Sequence, residues 1–128
     1  MMGTFWVRAG AILGGLSVIA GAFGAHALRE RFHLEERLLA TFETGVRYQM
    51  YHALALVAVG LLARHGRAAG PLQVAGGCFL AGILMFSGSL YLLTLGLGPA
   101  KLWGPITPLG GIALIIGWFA LAVAAARA

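Results

Sequence analysis

Along this chain the apolar residues do not alternate with polar ones. They run on in four stretches, about 5–27, 45–63, 72–95 and 106–126, separated by short polar breaks. A bilayer core about 30 Å thick needs roughly 20 apolar residues in a helix, so each stretch predicts one membrane-spanning helix. Barrel strands would show a two-residue alternation, and four segments are too few to close a barrel. The predicted fold is therefore all-α: a polytopic membrane protein, a single four-transmembrane-helix bundle over residues 1–128. The breaks ARHGRAAGP (63–71) and GLGPAKLWGP (96–105) are short and rich in Gly or Pro, which makes successive helices antiparallel neighbours.

The break between the first two spans has a pattern of its own. In LRERFHLEERLLATFET (28–44), Leu34, Leu38 and Phe42 recur every four residues with Glu35, Glu36 and Arg37 between them. That predicts a short amphipathic segment, lying at the interface or extending the second span outward. Glu43 stands four residues before Arg47, the favourable helical order for an ion pair. In the first span Gly10, Gly14, Ser17, Gly21 and Ala25 form one narrow face of small residues, read first as helix packing inside the subunit and second as a subunit contact. Arg8, the apolar run and Ala25-His26-Ala27 imitate a secretory signal. The glycine-rich run is nearly long enough to span, however, and a retained first helix is the reading adopted.

Composition sharpens the membrane assignment: 60% of residues are hydrophobic and 10% charged, with a mean hydropathy of +0.90. The formal net charge of +5 comes without basic runs interleaved with aromatics. It reads as arginines at membrane surfaces, with no nucleic-acid partner. The lone Cys78 allows no intramolecular disulfide. If the amino terminus lies on side A, that side carries Arg8, Arg64, Arg67 and Arg127. Side B carries Arg29, Arg31, Arg37 and Lys101, with Arg47 just inside. So even a split gives no orientation by the positive-inside rule.

Antiparallel connectivity then says which polar groups share a leaflet. His26 closes the first span; Arg47, Tyr48, Gln49, Tyr51 and His52 fill the first turns of the second. Ser87, Ser89 and Tyr91 lie at the end of the third, and Thr107 opens the fourth. All fall in the B half, with His52 and Ser87 roughly 10–12 Å deep and His26, Arg47 and Tyr91 within about 5 Å of the surface. The A half is nearly pure Leu, Ala, Val and Gly. A polar side chain in hydrocarbon needs a partner, so the cluster predicts an interhelical lock or a ligand pocket. The simplest partners are Glu43 for Arg47 and Ser87 or Ser89 for His52, with a lipid headgroup as the alternative contact for Arg47. Pro105 and Pro108 around Thr107 predict a non-helical approach to the fourth helix.

Chemistry-bearing signatures are sparse. Phe86-Ser87-Gly88-Ser89 does not match a nucleophile elbow, no carboxylate lies within a span, and no metal-ligand spacing appears. The expectation is a non-enzymatic protein without metal or cofactor. A haem held between His26 and His52, or a quinone near them, is a third reading behind a channel or transporter lined by His52, Arg47 and Tyr91.

GAFGAHAL (21–28), TGVRYQMYHALAL (44–56), FSGSLYLL (86–93) and GPITPLGG (104–111), with Gly117-Trp118 after them, resemble the domain of unknown function 423 family, called the transmembrane protein 256 family in animals. The resemblance implies a small multi-pass membrane protein, in bacteria of the cytoplasmic membrane, and brings no activity with it. The functional expectation is a structural, accessory or lipid- or partner-binding homo-oligomer, in contact with membrane lipids and open to a partner membrane protein.

Overall fold

The computed structural model describes residues 1–66 and 68–127, so Arg67, one of the side-A charges, lies outside it. Among the described residues four helices are long and apolar enough to cross a membrane: α1 (Met2–Arg31), α2 (Glu36–Arg64), α3 (Ala69–Leu95) and α4 (Ala100–Ala126). Each overlaps one apolar stretch and overruns it at an end, because the helix continues where the hydrocarbon stops. Hydrophobic side chains line the outside throughout, including Ile12, Val18, Leu54, Leu84, Ile115 and Phe119. That is the surface a bilayer solvates and water does not.

The amphipathic segment is not a separate element. Its first residues finish α1, Phe32 to Glu35 make the turn, and Glu36 starts α2, so the extension outward is what forms. Leu39 and Phe42 are buried there with Leu28, and Leu34 packs on them. His33 bends the chain in a left-handed conformation (φ 50°). Between α3 and α4 the reversal falls on Gly96 and Gly98, with φ of 69° and 83°, values that cost a glycine little.

Two stretches are wound as π-helix: Gly24–Arg31 at the end of α1 and Ile83–Ser87 within α3. Such wide turns are uncommon and concentrate at functional sites. The expected non-helical approach to the last span is replaced by helix: α4 starts at Ala100 and carries Pro105 and Pro108 inside it. Each proline removes one backbone donor from the ladder beyond the first turn, so the carbonyls of Lys101 and Gly104 forfeit their i+4 donor.

Packing follows the small residues. α1 lies on α2 backbone to backbone. A Cβ added at Gly60 would stand 2.6 Å from the Gly3 carbonyl, and one at Gly10 2.6 Å from that of Ala53. This is the small-residue face read from the first span, and it is occupied within the subunit. Gly14 and Gly21 make only ordinary contacts with Ala53 and Val46, and Ala25 is exposed. α4 approaches α3 in the same way, at Gly110 against Phe86 and Gly117 against Phe79. The dry core, with Leu56, Val59, Leu72, Ala75 and Phe79, lies where α1, α2, α3 and α4 meet, and the Trp6 ring covers Gly76.

Candidate functional site

The polar residues gathered by the leaflet argument become a set of bonds centred on α2. Gln49 is the node. It is 5% exposed; its Nε2 donates to the Leu13 carbonyl of α1 at 2.8 Å, and its Oε1 accepts from the Tyr91 hydroxyl of α3 at 2.6 Å. One side chain thus joins three helices. Tyr91 reaches it because its ring lies across Gly45, where a Cβ would meet the ring at 2.8 Å.

One turn away two serines bracket α2. Ser17 Oγ donates to the Val46 carbonyl at 2.9 Å from α1, and Ser87 Oγ to the Gly45 carbonyl at 2.7 Å from α3. Ser87 and Ser17 are each 1% exposed. A helical carbonyl has a second lone pair beyond its ladder bond, and the hydroxyls use it. Ser87→Ala removes one such bond and is expected to lower stability by about 1 kcal/mol, within the span found for interhelical bonds in membranes. The midpoint of unfolding in a denaturing-detergent titration measures it.

His52, buried at 4% exposure, has both ring nitrogens occupied. Nδ1 stands 2.7 Å from the Tyr48 carbonyl, and Nε2 is 2.9 Å from Nε1 of Trp118 on α4. An indole N–H only donates and a carbonyl only accepts, so Nε2 holds a lone pair and Nδ1 holds the hydrogen. The ring is the neutral Nδ1–H tautomer, packed against Phe79, which in turn meets Trp118 edge-on at 5.1 Å. Towards side B the Ser89 and Thr107 hydroxyls bond to each other and tie α3 to α4. One of the two hydroxyl hydrogens makes that bond, and the other is left for a carbonyl, that of Phe86 at 3.0 Å from Ser89 or that of Trp103 at 3.3 Å from Thr107.

Several expectations from the sequence need correction. His26 is exposed on the π-wound end of α1 and does not join the cluster. Arg47 does not pair with Glu43: Arg29 takes Glu43 at 3.1 Å and Glu36 at 3.3 Å, because the wide turn of α1 carries it across the start of α2. Arg47 is left exposed on the outer face. His52 bonds to neither Ser87 nor Ser89, since both serines find nearer backbone or hydroxyl partners. With His26 outside and His52 Nε2 committed to Trp118, the two histidines do not form a bis-histidine pair. The A half is also less bare than expected, for Trp6 Nε1 donates to Gln73 Oε1 at 3.3 Å.

Trp118 is the residue sequence reasoning passed over. An indole donor in the middle of the most apolar run was the available signal, since an N–H in hydrocarbon needs an acceptor from a neighbour. Tyr48 and Tyr51 stand outside the network, 39% and 52% exposed. With Phe86, Leu114, Ile115 and Trp118 they line an open groove of about 730 Å³ between α2 and α4. No three His, Cys, Asp or Glu side chains among the described residues stand close enough to share a metal. Among the described residues, the core below the network towards side A is hydrocarbon apart from the Trp6–Gln73 bond, so the polar arrangement fastens the helices together within one leaflet.

A model of the family described as "Protein of unknown function (DUF423)" matches residues 20–111. The chain is 45% identical to a UPF0382 membrane protein of Bacillus subtilis over 118 residues, covering 92% of this chain and 93% of the other. It is 42% identical to one from Staphylococcus aureus, over 90% of this chain and 89% of the other. A relative from Schizosaccharomyces pombe, also called a UPF0382 membrane protein, is 37% identical over 94% of this chain and 99% of its own. No solved structure matches.

Proposed function

We propose, from the premise that the chain belongs to the DUF423 family of membrane proteins, that it acts without catalysis as a rigid accessory protein of the bacterial cytoplasmic membrane. It assembles into a homo-oligomer, and its outward surfaces hold lipids or a partner membrane protein. The observation that carries this reading is the closure of the polar network. Gln49, His52, Ser17, Ser87 and Ser89 spend their hydrogen-bonding groups on other parts of the same chain. Interhelical bonds of this kind hold spans together in the membrane, which is what a rigid bundle requires. The bacterial relatives, named membrane proteins, support a place in a membrane.

Reconstitution tests it. Liposomes carrying the wild type and a His52→Leu variant are expected to show the same background permeability to protons and small ions, while the variant unfolds at lower detergent and yields less oligomer by native mass spectrometry. A wild-type flux that His52→Leu abolishes with folding intact would overturn the reading in favour of transport.

A further inference from the structure

The groove between α2 and α4 has a charged mouth, and the two features together point to an occupant. On α4 the residues Lys101, Gly104, Pro108, Gly111, Ile115 and Trp118 succeed one another at three and four positions, forming one stripe. Nothing lies within 4 Å of a Cβ added at Gly104, and one at Gly111 meets only Phe86, at 3.7 Å. The stripe therefore leaves α4 uncovered at Gly104, and from Gly111 to Trp118 it forms one wall of the groove. On α2 the facing wall is Tyr48, Tyr51 and Leu54, and Phe86 of α3 is at the floor. From Gly111 to Trp118 the groove runs about 10 Å along the helix axis.

Arg47 sits one turn above Tyr51 on the same face of α2, exposed, with no carboxylate bonded to it among the described residues. Lys101 heads the α4 stripe, also exposed. Both helices start on side B, and side chains lean towards a helix's amino end, so both cations reach up to the headgroup layer. Of the four acidic residues, Glu36 and Glu43 are held by Arg29 and Glu35 by Arg37, and Glu30, at the end of α1, bonds to neither cation among the described residues. A groove with an aromatic and aliphatic lining, opening beneath two unpaired cations, complements a molecule with an anionic head and an apolar tail.

We propose that this groove binds an anionic phospholipid of the side-B leaflet, with its phosphate at Arg47, in the field of Lys101 above it, and one acyl chain lying in the α2/α4 groove down to Trp118. The site rests on the reading of the bundle as a rigid body, and it does not depend on whether the protein also conducts or assembles. A flux result that sinks the accessory role leaves lipid retention unaltered, and loss of retention leaves that role intact.

The test is native mass spectrometry of the full-length protein in mild detergent, offered phosphatidylglycerol or phosphatidylcholine of matched acyl chains. The wild type is expected to retain one phosphatidylglycerol per chain in preference to phosphatidylcholine. Arg47→Gln with Lys101→Gln is expected to lower that preference about fivefold for each cation removed. Gly111→Leu fills the groove and is expected to lose both lipids. Equal retention of the two lipids by the wild type, or a preference unmoved in the glutamine pair, would overturn the site. So would a cross-link between copies through Leu54→Cys and Ile115→Cys, which would put a second chain in the groove. If Gly111→Leu fails to fold, Trp118 replaces it as a probe. Brominated phosphatidylglycerol is expected to quench the emission that Trp118→Phe removes at a lower mole fraction than brominated phosphatidylcholine, and equal quenching counts against the proposal.

Discussion

Gly10→Ala is expected to destabilise the bundle by about 2–3 kcal/mol, while Gly15→Ala, on the same helix, is neutral or gains up to about 1 kcal/mol. The two substitutions add the same methyl group to the same helix, so propensity favours both. Surroundings decide the sign. At Gly10 the new carbon would stand 2.6 Å from the Ala53 carbonyl and 2.9 Å from the Val57 nitrogen. Those are backbone atoms of α2 and have no rotamer to turn away. α1 must move outward, and with it go the Ser17 bond to Val46 and the Gln49 bond to Leu13. At Gly15 nothing lies within 4 Å, and the methyl meets only lipid. Unfolding midpoints of the two variants in one detergent titration measure the contrast, and equal shifts would show that α1 does not lie on α2 as described.

The second large effect is Gln49→Leu. Leucine matches glutamine closely in volume, so little packing is lost and the change isolates the bonds. Two are removed, one to α1 and one to α3. The Leu13 carbonyl keeps its ladder bond, but the Tyr91 hydroxyl is stranded against the Gly45 face. A buried polar group left without a partner costs about 1–3 kcal/mol, so a total loss of about 2–4 kcal/mol is expected. Tyr91→Phe in the Gln49→Leu background removes the stranded hydroxyl and is expected to restore part of it. Additive losses in the double variant would mean that the two side chains do not interact.

Much of this architecture was legible in the sequence. The four spans were, because hydrocarbon thickness fixes the length of an apolar run whatever the packing inside. Gln49, His52, Ser87, Ser89, Tyr91 and Thr107 were recognisable as interior because a polar group in a span must find a partner, whereas Ser17 reads in the sequence only as a small packing residue, and His26, Arg47, Tyr48 and Tyr51, gathered by the same argument, are exposed. The partners were not legible, since helical spacing pairs residues along one helix, whereas Glu43 is taken by Arg29 from the helix before. The winding that brings Arg29 there leaves no compositional trace, and the same is true of the wide turn at Ile83–Ser87. Trp118 was hidden by its own apolar character. The groove was hidden too, because it is a property of two helices standing apart on either side of Phe86.

Three of the bonds that join the helices end on backbone carbonyls: Ser17 on Val46, Ser87 on Gly45, and Gln49 on Leu13. A carbonyl stays in place whatever side chain its residue carries. Each of these ties therefore constrains the identity of one partner only. Serine or glutamine must remain on the donor side, while Val46 and Leu13 are free to drift among residues of similar bulk without loosening the joint. Gly45 is held for a separate reason, the ring of Tyr91 above it. A bundle fastened in this way fixes its donors and its close-approach glycines, such as Gly10 and Gly60, and leaves the residues that lend only a carbonyl free to vary.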